Sequence, residues 1–596
     1  MVDVNPRDDM CVAMIPTRVK SGISKYLYAI IASSIIAAAF FYSLYYFDYF
    51  QTPSEDYIGN FRPRILEYMQ GIFPGENYKI LPLYPLIVAL ATSLLGNGWS
   101  DPVYYASMIV NMALLVPYMV LTYLIYRRFL SEKTAAIALL FLASNGFTVY
   151  TVANAELEML LSFLVVLTSW LIIRKSRFAY FASFLTVVTK WDSILIIPAS
   201  MLRDFFYEKK RIKALALGFI ASTGFLAWMA LGLITGADTQ NPYIGEIARR
   251  GPNVYRFFID LLFVASGFVQ GAGAQVYYSI TNPALYVPMY AVLGLFLLAV
   301  TILVLTGAWR LSKKKTPEVL SILMFLGGFI LVHMVYQNTK TRYVLPILWL
   351  LNLLIFHAIE STWADKFERP ASKRERISSG SSLKHVLAAI FGVVLYLASL
   401  YPFADAGKPA ILIFALALSS LFGLALFRSW NAHPLKSWLP AVFACGAIII
   451  NLNCFFTIKM MDHYSTRRVE FKDVSMWYAR NASPNDILLI SETNLPRYYT
   501  GFPSNRFVST QSLASADLKS LYGELSRKKI TLIFIDDFYI RRLGVGDKNS
   551  IDKKAHLLEK LRSDYSKDRR FSLERVFVYD NNAKSYLLRF IPASSR

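Results

Sequence analysis

The sequence is poor in charge and in cysteine for its length. Charged residues make up 17% of its 596 residues, whereas a soluble chain carries roughly 25%. Its three cysteines are Cys11, Cys445 and Cys454. The last two lie on one predicted helix, separated by about 13 Å along its axis, which is too far for a disulfide. The C-terminal region has no cysteine, so its fold does not depend on disulfide bonds.

Several familiar functional motifs are also absent. The sequence has no zinc-ligand spacing, Walker-type phosphate loop, Rossmann glycine fingerprint or serine-triad motif, and its histidines are scattered. It also lacks an aromatic and basic nucleic-acid module. The formal net charge is +22. In a membrane protein such basic residues set the orientation of the chain and attract anionic lipid headgroups. No nucleic-acid partner is expected.

Apolar residues are abundant instead. They make up 55% of the chain, and the mean hydropathy is +0.41. Apolar runs of about 20 residues, each long enough to span a bilayer, recur between residues 24 and 457. The first run follows a basic segment and has no small-residue cleavage site, which indicates a retained span. We therefore predict a polytopic α-helical membrane protein.

The basic clusters between these runs predict the topology, because such clusters face the cytoplasm. One solution puts the amino terminus inside and the carboxyl terminus outside, with about thirteen spans. The predicted spans are 24–47, 102–126, 134–150, 157–173, two half-helices within 178–202, 214–235, 286–309, 317–336, 343–359, 385–402, 409–428 and 437–457.

The run 178–202 is predicted to break in its middle. Basic clusters flank both of its ends, and it contains Lys190-Trp191-Asp192. A single crossing would put one cluster on the wrong side of the membrane. Two short half-helices that turn at Thr189–Asp192 satisfy both flanks, provided that protein or water surrounds the charged turn.

The predicted loops and domains follow from this topology. A transmembrane domain is expected over 1–457, with outer loops at 48–100 and 236–285 and a cytoplasmic linker at 360–384. Within the first outer loop, an apolar piece at 81–96 is expected to dip into the outer leaflet as a short helix.

From residue 458 the composition becomes that of a soluble domain, so 458–596 is predicted to be an extracytoplasmic α/β domain. Helices are expected near 469–481, 515–527 and 551–563, and strands at 486–491, 530–536, 572–579 and 585–591. The apolar runs ILLI and ITLIFI are typical of buried parallel strands.

The first outer loop carries adjacent acids, Glu55 and Asp56, directly after the first span. A carboxylate at a membrane surface, surrounded by aromatic residues, suits a general base that deprotonates an acceptor hydroxyl or amine. The alternative is a solvated loop carboxylate. Asp48, at the end of the first span, is a further candidate or an interface marker.

A second acidic pair, Glu156 and Glu158, opens the span at 157–173 on the same predicted face. The positive end of the helix dipole partly offsets their charge. The pair either belongs to the site or caps the helix N-terminus and marks the membrane interface.

Basic residues on the outer side form a third group of candidates. Lys190 and Asp192 are either an ion pair within the bent helix or a phosphate-binding lysine with its partner, since intramembrane ionisable groups are functional candidates. Arg342-Tyr343 opens a span, where a phosphate would suit the arginine fork; the alternative is an ordinary interfacial belt. Arg249 and Arg250, in the loop 236–285, are weaker candidates.

These motifs resemble those of the GT-C superfamily of membrane glycosyltransferases, which use polyprenyl-phosphate sugars. The branch they resemble most is the protein O-mannosyltransferase and lipid A aminoarabinose transferase group. The matching motifs are Glu55-Asp56-Tyr57, Leu81-Pro82-Leu83-Tyr84-Pro85, Glu156 or Glu158, Thr189-Lys190 through Pro198, and Arg342-Tyr343 with Pro346.

The resemblance implies an inverting transfer of a sugar from a polyprenyl-phosphate donor to a lipid, glycan or protein acceptor on the outer face of a bacterial or archaeal cell membrane. It implies that Glu55 or Asp56 acts as base and that Lys79, Lys190, Arg342 and Tyr343 hold the donor phosphate. The first acidic pair reads Glu-Asp where the family usually has Asp-Glu, which leaves open which acid is the base. No cofactor or metal is predicted, although a divalent metal is left undecided because distant relatives use one. The competing class is a transporter or flippase of lipid-linked sugars, but the hydropathy shows no inverted repeat.

Overall fold

The structure is a computed structural model of the full chain. It describes residues 53–54, 57–73, 80–95, 101–145, 148, 152, 155–235, 261, 283–335, 341–364, 464–515, 517–536, 551–579 and 584–591.

The described part of the first predicted outer loop is helical. A π-helical turn at Tyr57–Phe61 leads into α1 (Arg62–Met69), whose early proline suits the first turn of a helix. The apolar piece predicted at 81–96 is a helix, α2 (Leu83–Leu95). Its 13 residues extend about 20 Å, which is shorter than the hydrocarbon core of a bilayer.

Three further helices follow. Helix α3 (Pro102–Phe129) begins where the side chain of Asp101 accepts a hydrogen bond from the Tyr104 amide, and it ends after two arginines. Helix α4 (Glu132–Ser144) covers the first part of the predicted span 134–150 and ends where Asn145 is extended. Of the last five residues of that span, the structure describes Thr148, which is helical. Helix α5 (Glu158–Ile173) matches its prediction.

The run 178–202 forms a helical hairpin, as its charge pattern predicted. Helix α6 (Phe178–Thr189) ends at Lys190, which is extended (φ −154°, ψ 131°); a 3₁₀ turn at Trp191–Leu195 then leads to α7 (Ile196–Leu202). The two helices pack against each other, since the hydroxyls of Ser183 and Ser200 lie 2.8 Å apart. Each of these serines also donates to the carbonyl four residues earlier, so their polar groups are satisfied within the hairpin.

The remaining helices of this region are α8 (Arg211–Ile234), α9 (Pro283–Ser312), α10 (Pro317–Val335) and α11 (Leu345–Ala364), the last preceded by a 3₁₀ turn at Thr341–Val344. Helices α9 and α11 approach closely, because a Cβ atom at Gly307 would overlap the carbonyl oxygen of Leu354. A glycine is therefore required at this crossing.

By length and apolar composition, three helices within the described ranges can cross a bilayer: Pro102–Phe129, Arg211–Ile234 and Pro317–Met334. Shorter apolar helices accompany them, including those of the hairpin. The predicted spans 24–47, 385–402, 409–428 and 437–457 lie outside the described residues, so the count of about thirteen stays a prediction.

The C-terminal region is a five-stranded mixed sheet with helices, as its composition predicted. Its elements in chain order are α12 (Tyr464–Asn481), β1 (Leu488–Ile490), α13 (Asn494–Thr500), β2 (Phe507–Ser509), α14 (Leu518–Arg527), β3 (Leu532–Ile535), α15 (Ile551–Asp564), β4 (Phe571–Val578) and β5 (Lys584–Phe590). The strand order is β2-β1-β3-β5-β4. Strands β1 and β3 are parallel neighbours, as ILLI and ITLIFI predicted, whereas β5 runs antiparallel to β3 and β4.

The two faces of this sheet contact different partners. Leu488, Ile490 and Phe534 belong to an apolar core that continues into the helical region of the chain. Leu489 and Ile533, one position along each strand, pack into a separate core with α14 and α15. Successive side chains of a strand point to opposite faces of the sheet. One face of this sheet therefore packs on the helical region, and the other packs on the domain's own helices.

Candidate functional site

The described candidate residues form two polar clusters. The acidic cluster comprises Ser54, Tyr84, Asn111, Glu156 and Glu158. The lysine cluster comprises Lys190, Asp192, His333 and Tyr343. Glu158 links the two, because its charge acts both on Tyr84 and on Lys190.

The acidic cluster joins the first outer loop to the start of α5. The Ser54 hydroxyl donates to Glu156 Oε1 at 2.7 Å, and the Asn111 side-chain amide donates to the Glu156 carbonyl oxygen at 3.3 Å. Glu156 is 2% exposed and Glu158 is 6% exposed, so neither is a solvated interface marker. The Glu156 carboxylate bonds to the first outer loop through Ser54.

Ser54 also orders the turn that follows the first-loop acids. Its hydroxyl oxygen accepts from the Tyr57 amide at 3.0 Å, and its carbonyl oxygen accepts from the Ile58 amide at 3.0 Å. One serine side chain thus bonds both to the π-helical turn and to the buried carboxylate of Glu156, two residues before α5. Ser54 directly precedes Glu55 in the sequence, so the first-loop acidic pair begins one residue from this contact.

Tyr84 contributes the aromatic side of the acidic cluster. It belongs to the Leu-Pro-Leu-Tyr-Pro motif and is fully buried on α2. Its phenol lies beside Ser107 and Asn111 of α3 and within electrostatic range of Glu156 and Glu158. The motif therefore carries a tyrosine to the buried acids, a role that the sequence alone did not indicate.

The lysine cluster lies at the tip of the hairpin. Lys190 Nζ is 3.0 Å from Asp192 Oδ2 and 4.1 Å from the centre of the Tyr343 ring. A cation over an aromatic face is attracted by the ring quadrupole, the more so where water is excluded. The extended backbone of Lys190, between helix and 3₁₀ turn, places both charged residues at the one point where the hairpin turns.

His333 of α10 completes the lysine cluster, and sequence reasoning missed it. Its Nε2 is 3.2 Å from Asp192 Oδ2, and its Nδ1 is 2.9 Å from the Phe329 carbonyl oxygen. The ring is 2% exposed. The available signal was a lone histidine inside the apolar run FILVHMV, and only the fold brings it to a carboxylate 141 residues away.

The lysine cluster keeps unfilled hydrogen-bonding capacity. Lys190 Nζ forms an ion pair with Asp192 Oδ2, and in the part of the chain that the structure describes it has no further hydrogen-bond partner. The same holds for Asp192 Oδ1. A buried polar atom without a partner costs about 1–3 kcal/mol, more for a charged group, so this arrangement favours a polar ligand. An anion beside Lys190 would supply the missing acceptors.

Other predicted site residues lie outside the described part of the chain. These are Asp48, Glu55, Asp56, Lys79, Arg249 and Arg250. Arg342 is placed by its backbone in the 3₁₀ turn Thr341–Val344, next to Tyr343, while its side chain lies outside the description. Within the described ranges, no three His, Cys, Asp or Glu side chains come together as a metal ion would require.

Comparisons with known proteins bear on the fold. No family model and no curated protein matches the sequence. Among solved structures, the chain is similar to ArnT from Cupriavidus metallidurans bound to undecaprenyl phosphate, with 13% identity and a TM-score of 0.50 over 94% of this chain and 97% of that one. It is also similar to the oligosaccharyltransferase AglB from Archaeoglobus fulgidus in complex with an inhibitory peptide and a dolichol-phosphate, with 11% identity and a TM-score of 0.50 over 95% of this chain and 74% of that one. At 11–13% identity these similarities show a shared fold, as the family resemblance of the sequence implied.

Proposed function

We propose that the chain is a membrane glycosyltransferase that moves a sugar from a polyprenyl-phosphate donor to a lipid, glycan or protein acceptor. The observation that carries this is the lysine cluster, where a buried ammonium is held by one carboxylate and one aromatic ring and has no further hydrogen-bond acceptor among the described residues. The fold supports it, because one similar structure holds undecaprenyl phosphate and another holds a dolichol-phosphate.

The lysine cluster suits the leaving group of such a reaction. When the bond between the anomeric carbon and the phosphate oxygen breaks, negative charge grows on the phosphate, and a fixed cation nearby stabilises that charge. Lys190 supplies the cation, Asp192 and Tyr343 hold its ammonium, and His333 holds Asp192. Arg342, which adjoins Tyr343, and Lys79 are proposed as further phosphate ligands.

The acceptor side is assigned to the first outer loop. The acceptor hydroxyl or amine attacks the anomeric carbon, its proton passes to Glu55 or Asp56, and the polyprenyl phosphate leaves. A single displacement inverts the configuration of the anomeric carbon. The contact between Ser54 and Glu156 supports this assignment, because it joins the chain next to Glu55 to the buried acids.

The same proposal includes the arrangement of the chain in the membrane. The transmembrane domain is 1–457 with an inside amino terminus, and the domain 458–596 lies outside. A reporter fused after Arg596 is expected to be external, and one inserted near Gly380 is expected to be cytoplasmic. If both reporters were found on the same side of the membrane, this topology would be wrong.

The direct test measures transfer by purified protein in lipid nanodiscs. Radiolabelled polyprenyl-phosphate sugar is supplied with a membrane glycolipid and protein extract as acceptor. We expect the wild-type protein to transfer the label to the acceptor and the Lys190→Ala variant to lose this transfer. The matched control is Lys175→Ala, because Lys175 also forms an ion pair, 3.2 Å from Glu318, yet is 65% exposed. Movement of intact donor across the bilayer without transfer would support a flippase instead.

A further inference from the structure

Among the described residues, the C-terminal domain touches the first outer loop at a compact contact. We call this the loop–domain contact, and it comprises Gly59 and Arg62 of the loop, Asp101 at the start of α3, and Asn494 and Tyr498 of α13. Helix α13 is a seven-residue segment that the sequence did not predict.

Asp101 is the centre of this contact. Its Oδ1 accepts from the Tyr104 amide at 3.2 Å, which caps α3, and its Oδ2 accepts a hydrogen bond from the Tyr498 hydroxyl. Arg62 Nε lies 3.4 Å from the same Oδ2. The Asp101 side chain is 9% exposed, so these bonds form largely away from water, where charge-assisted hydrogen bonds are stronger.

Helix α13 also packs on the loop directly. The Arg62 guanidinium carbon lies 5.2 Å from the centre of the Tyr498 ring. A Cβ atom at Gly59 would come within 3.3 Å of Asn494 Nδ2, so the loop backbone and α13 are already close. Burial raises the pKa of Tyr57, the nearby Asp101 and Tyr498 add to this rise, and Arg62 opposes it.

The first-loop acids therefore lie between two anchors in the sequence. Before them, Ser54 bonds to Glu156 of the helical region. After them, Arg62 meets Asp101 and Tyr498, and Tyr57 packs edge-on against Tyr104 with ring centres 5.2 Å apart. The second anchor includes a residue of the C-terminal domain, Tyr498.

We propose that Tyr498 is a positioning residue: through Asp101 and Arg62, the C-terminal domain fixes the geometry of the loop that carries Glu55 and Asp56. This rests on the proposed function, in which that loop supplies the base. A displacement of about 1 Å in a catalytic group costs up to about 100-fold in rate, so a remote contact that holds the loop affects turnover without touching substrate.

The first test is hydrogen exchange of the loop, which needs no transfer assay. The amides of Tyr57 and Ile58 are bonded to Ser54, and their exchange reports on the loop's order. Tyr498→Phe removes the hydroxyl alone, and we expect exchange in peptides covering 54–62 to become at least about threefold faster. The matched control is Tyr522→Phe, because Tyr522 is in the same domain but packs with the other core.

The second test is transfer kinetics of the full-length variants. We expect Tyr498→Phe to lower kcat by about five- to twentyfold with the donor KM within about twofold, since positioning affects turnover and not donor capture. Asp101→Asn retains an oxygen to cap α3, so it tests the same contact without removing the cap. The double variant is expected to lose no more than the stronger single variant, because both act on one interaction.

Unchanged exchange over 54–62 in Tyr498→Phe would overturn the proposal, as would an equal loss of kcat in Tyr522→Phe. A wild-type protein without transfer activity would refute the proposed function instead, and the exchange measurement would then still decide whether the domain orders the loop.

Discussion

Two buried charged sites in this molecule differ in how many of their hydrogen-bonding atoms have a partner. In the C-terminal domain, the Glu524 carboxylate accepts from the Ala514 amide at 3.0 and 3.1 Å and from the Ser515 amide at 3.0 Å, and Lys528 lies 2.8 Å away. In the lysine cluster, Lys190 Nζ and Asp192 Oδ1 lack hydrogen-bond partners within the described residues. Glu524 is 5% exposed and Asp192 is 4% exposed, so burial does not distinguish them.

The two sites differ in whether they retain hydrogen-bonding capacity for a ligand. Glu524 ties the segment before α14 to the helix itself, and its bonding capacity is used within the protein. The lysine cluster is held in place by His333, Tyr343 and the hairpin, yet it keeps a donor and an acceptor unfilled. A saturated buried charge stabilises structure, whereas an unsaturated one in a fixed setting is suited to a ligand. The predictions below test that distinction.

The largest expected effect concerns the loop assigned to the same catalytic site as the lysine cluster. Glu55→Gln and Asp56→Asn keep shape and remove the charge that accepts a proton. One of them is expected to lose about 10²–10⁴ in transfer rate while still binding donor, and the other less than about tenfold, with Asp56 slightly favoured as the base. Radiolabel transfer together with donor binding checks this. Near-normal transfer in both variants would remove the first outer loop from the catalytic site.

Asp192→Ala sharpens the comparison by removing one partner of the unsaturated pair. An uncompensated buried Lys190 is expected to destabilise the protein by about 3–5 kcal/mol. Added polyprenyl phosphate is then expected to raise the Tm of this variant more than that of the wild type, because the anion replaces the missing carboxylate. Thermal unfolding in detergent, with and without lipid phosphate, measures both effects. A Tm unaffected by lipid phosphate in the variant would count against an anion site.

Glu524→Gln is the matching change at the saturated site. It weakens several hydrogen bonds and the contact with Lys528, so a loss of roughly 1–3 kcal/mol in unfolding free energy is expected. Donor binding and kcat are expected to remain unchanged, and polyprenyl phosphate is expected to stabilise the variant no more than the wild type. A selective loss of donor binding would erase the distinction between the two sites.

The smallest expected effect is the pH dependence of the stability that Glu524 contributes. Burial alone would raise the pKa of Glu524, but hydrogen bonds from Lys528, Ser515 and the Ala514 backbone outweigh it and lower the pKa from 4.5 to about 2. A lowered folded-state pKa stabilises the protein above pH 4.5, and this contribution is lost as the pH falls toward about 2. The Tm difference between wild type and Glu524→Gln should therefore shrink between about pH 5 and about pH 2. A constant difference would show that the carboxylate's charge contributes nothing.

Local patterns predicted most of the helices and strands that the structure describes. The apolar runs predicted β1 and β3, and basic flanks around Lys190 and Asp192 predicted the hairpin. Helix α13 and strand β2 were missed because each is short: α13 has seven residues with Pro496 inside it and Gly501 at its end, and β2 has three residues. Such segments gain their stability from tertiary contacts rather than from a periodic pattern.

The site was less predictable, because its contacts join distant parts of the sequence. Lys190 and Asp192 were identified from their charge within an apolar run. His333 reaches Asp192 across 141 positions, and Ser54 reaches Glu156 across 102. Neither partner has a local signature, since a serine in a loop and a histidine in an apolar helix are common in many settings. Only the packing of the helices selects them.

The central claim, that the lysine cluster holds the donor phosphate, is tested most directly by equilibrium binding of sugar-free polyprenyl monophosphate to wild type, Lys190→Ala and Lys175→Ala in nanodiscs. A hydrogen bond to a charged group contributes about 1.5–3 kcal/mol, so Lys190→Ala is expected to weaken binding by about 10- to 150-fold. Lys175→Ala is expected to bind within about twofold of wild type. Wild-type affinity in Lys190→Ala, accompanied by a lower Tm, would contradict the account and leave Lys190 with a purely structural role.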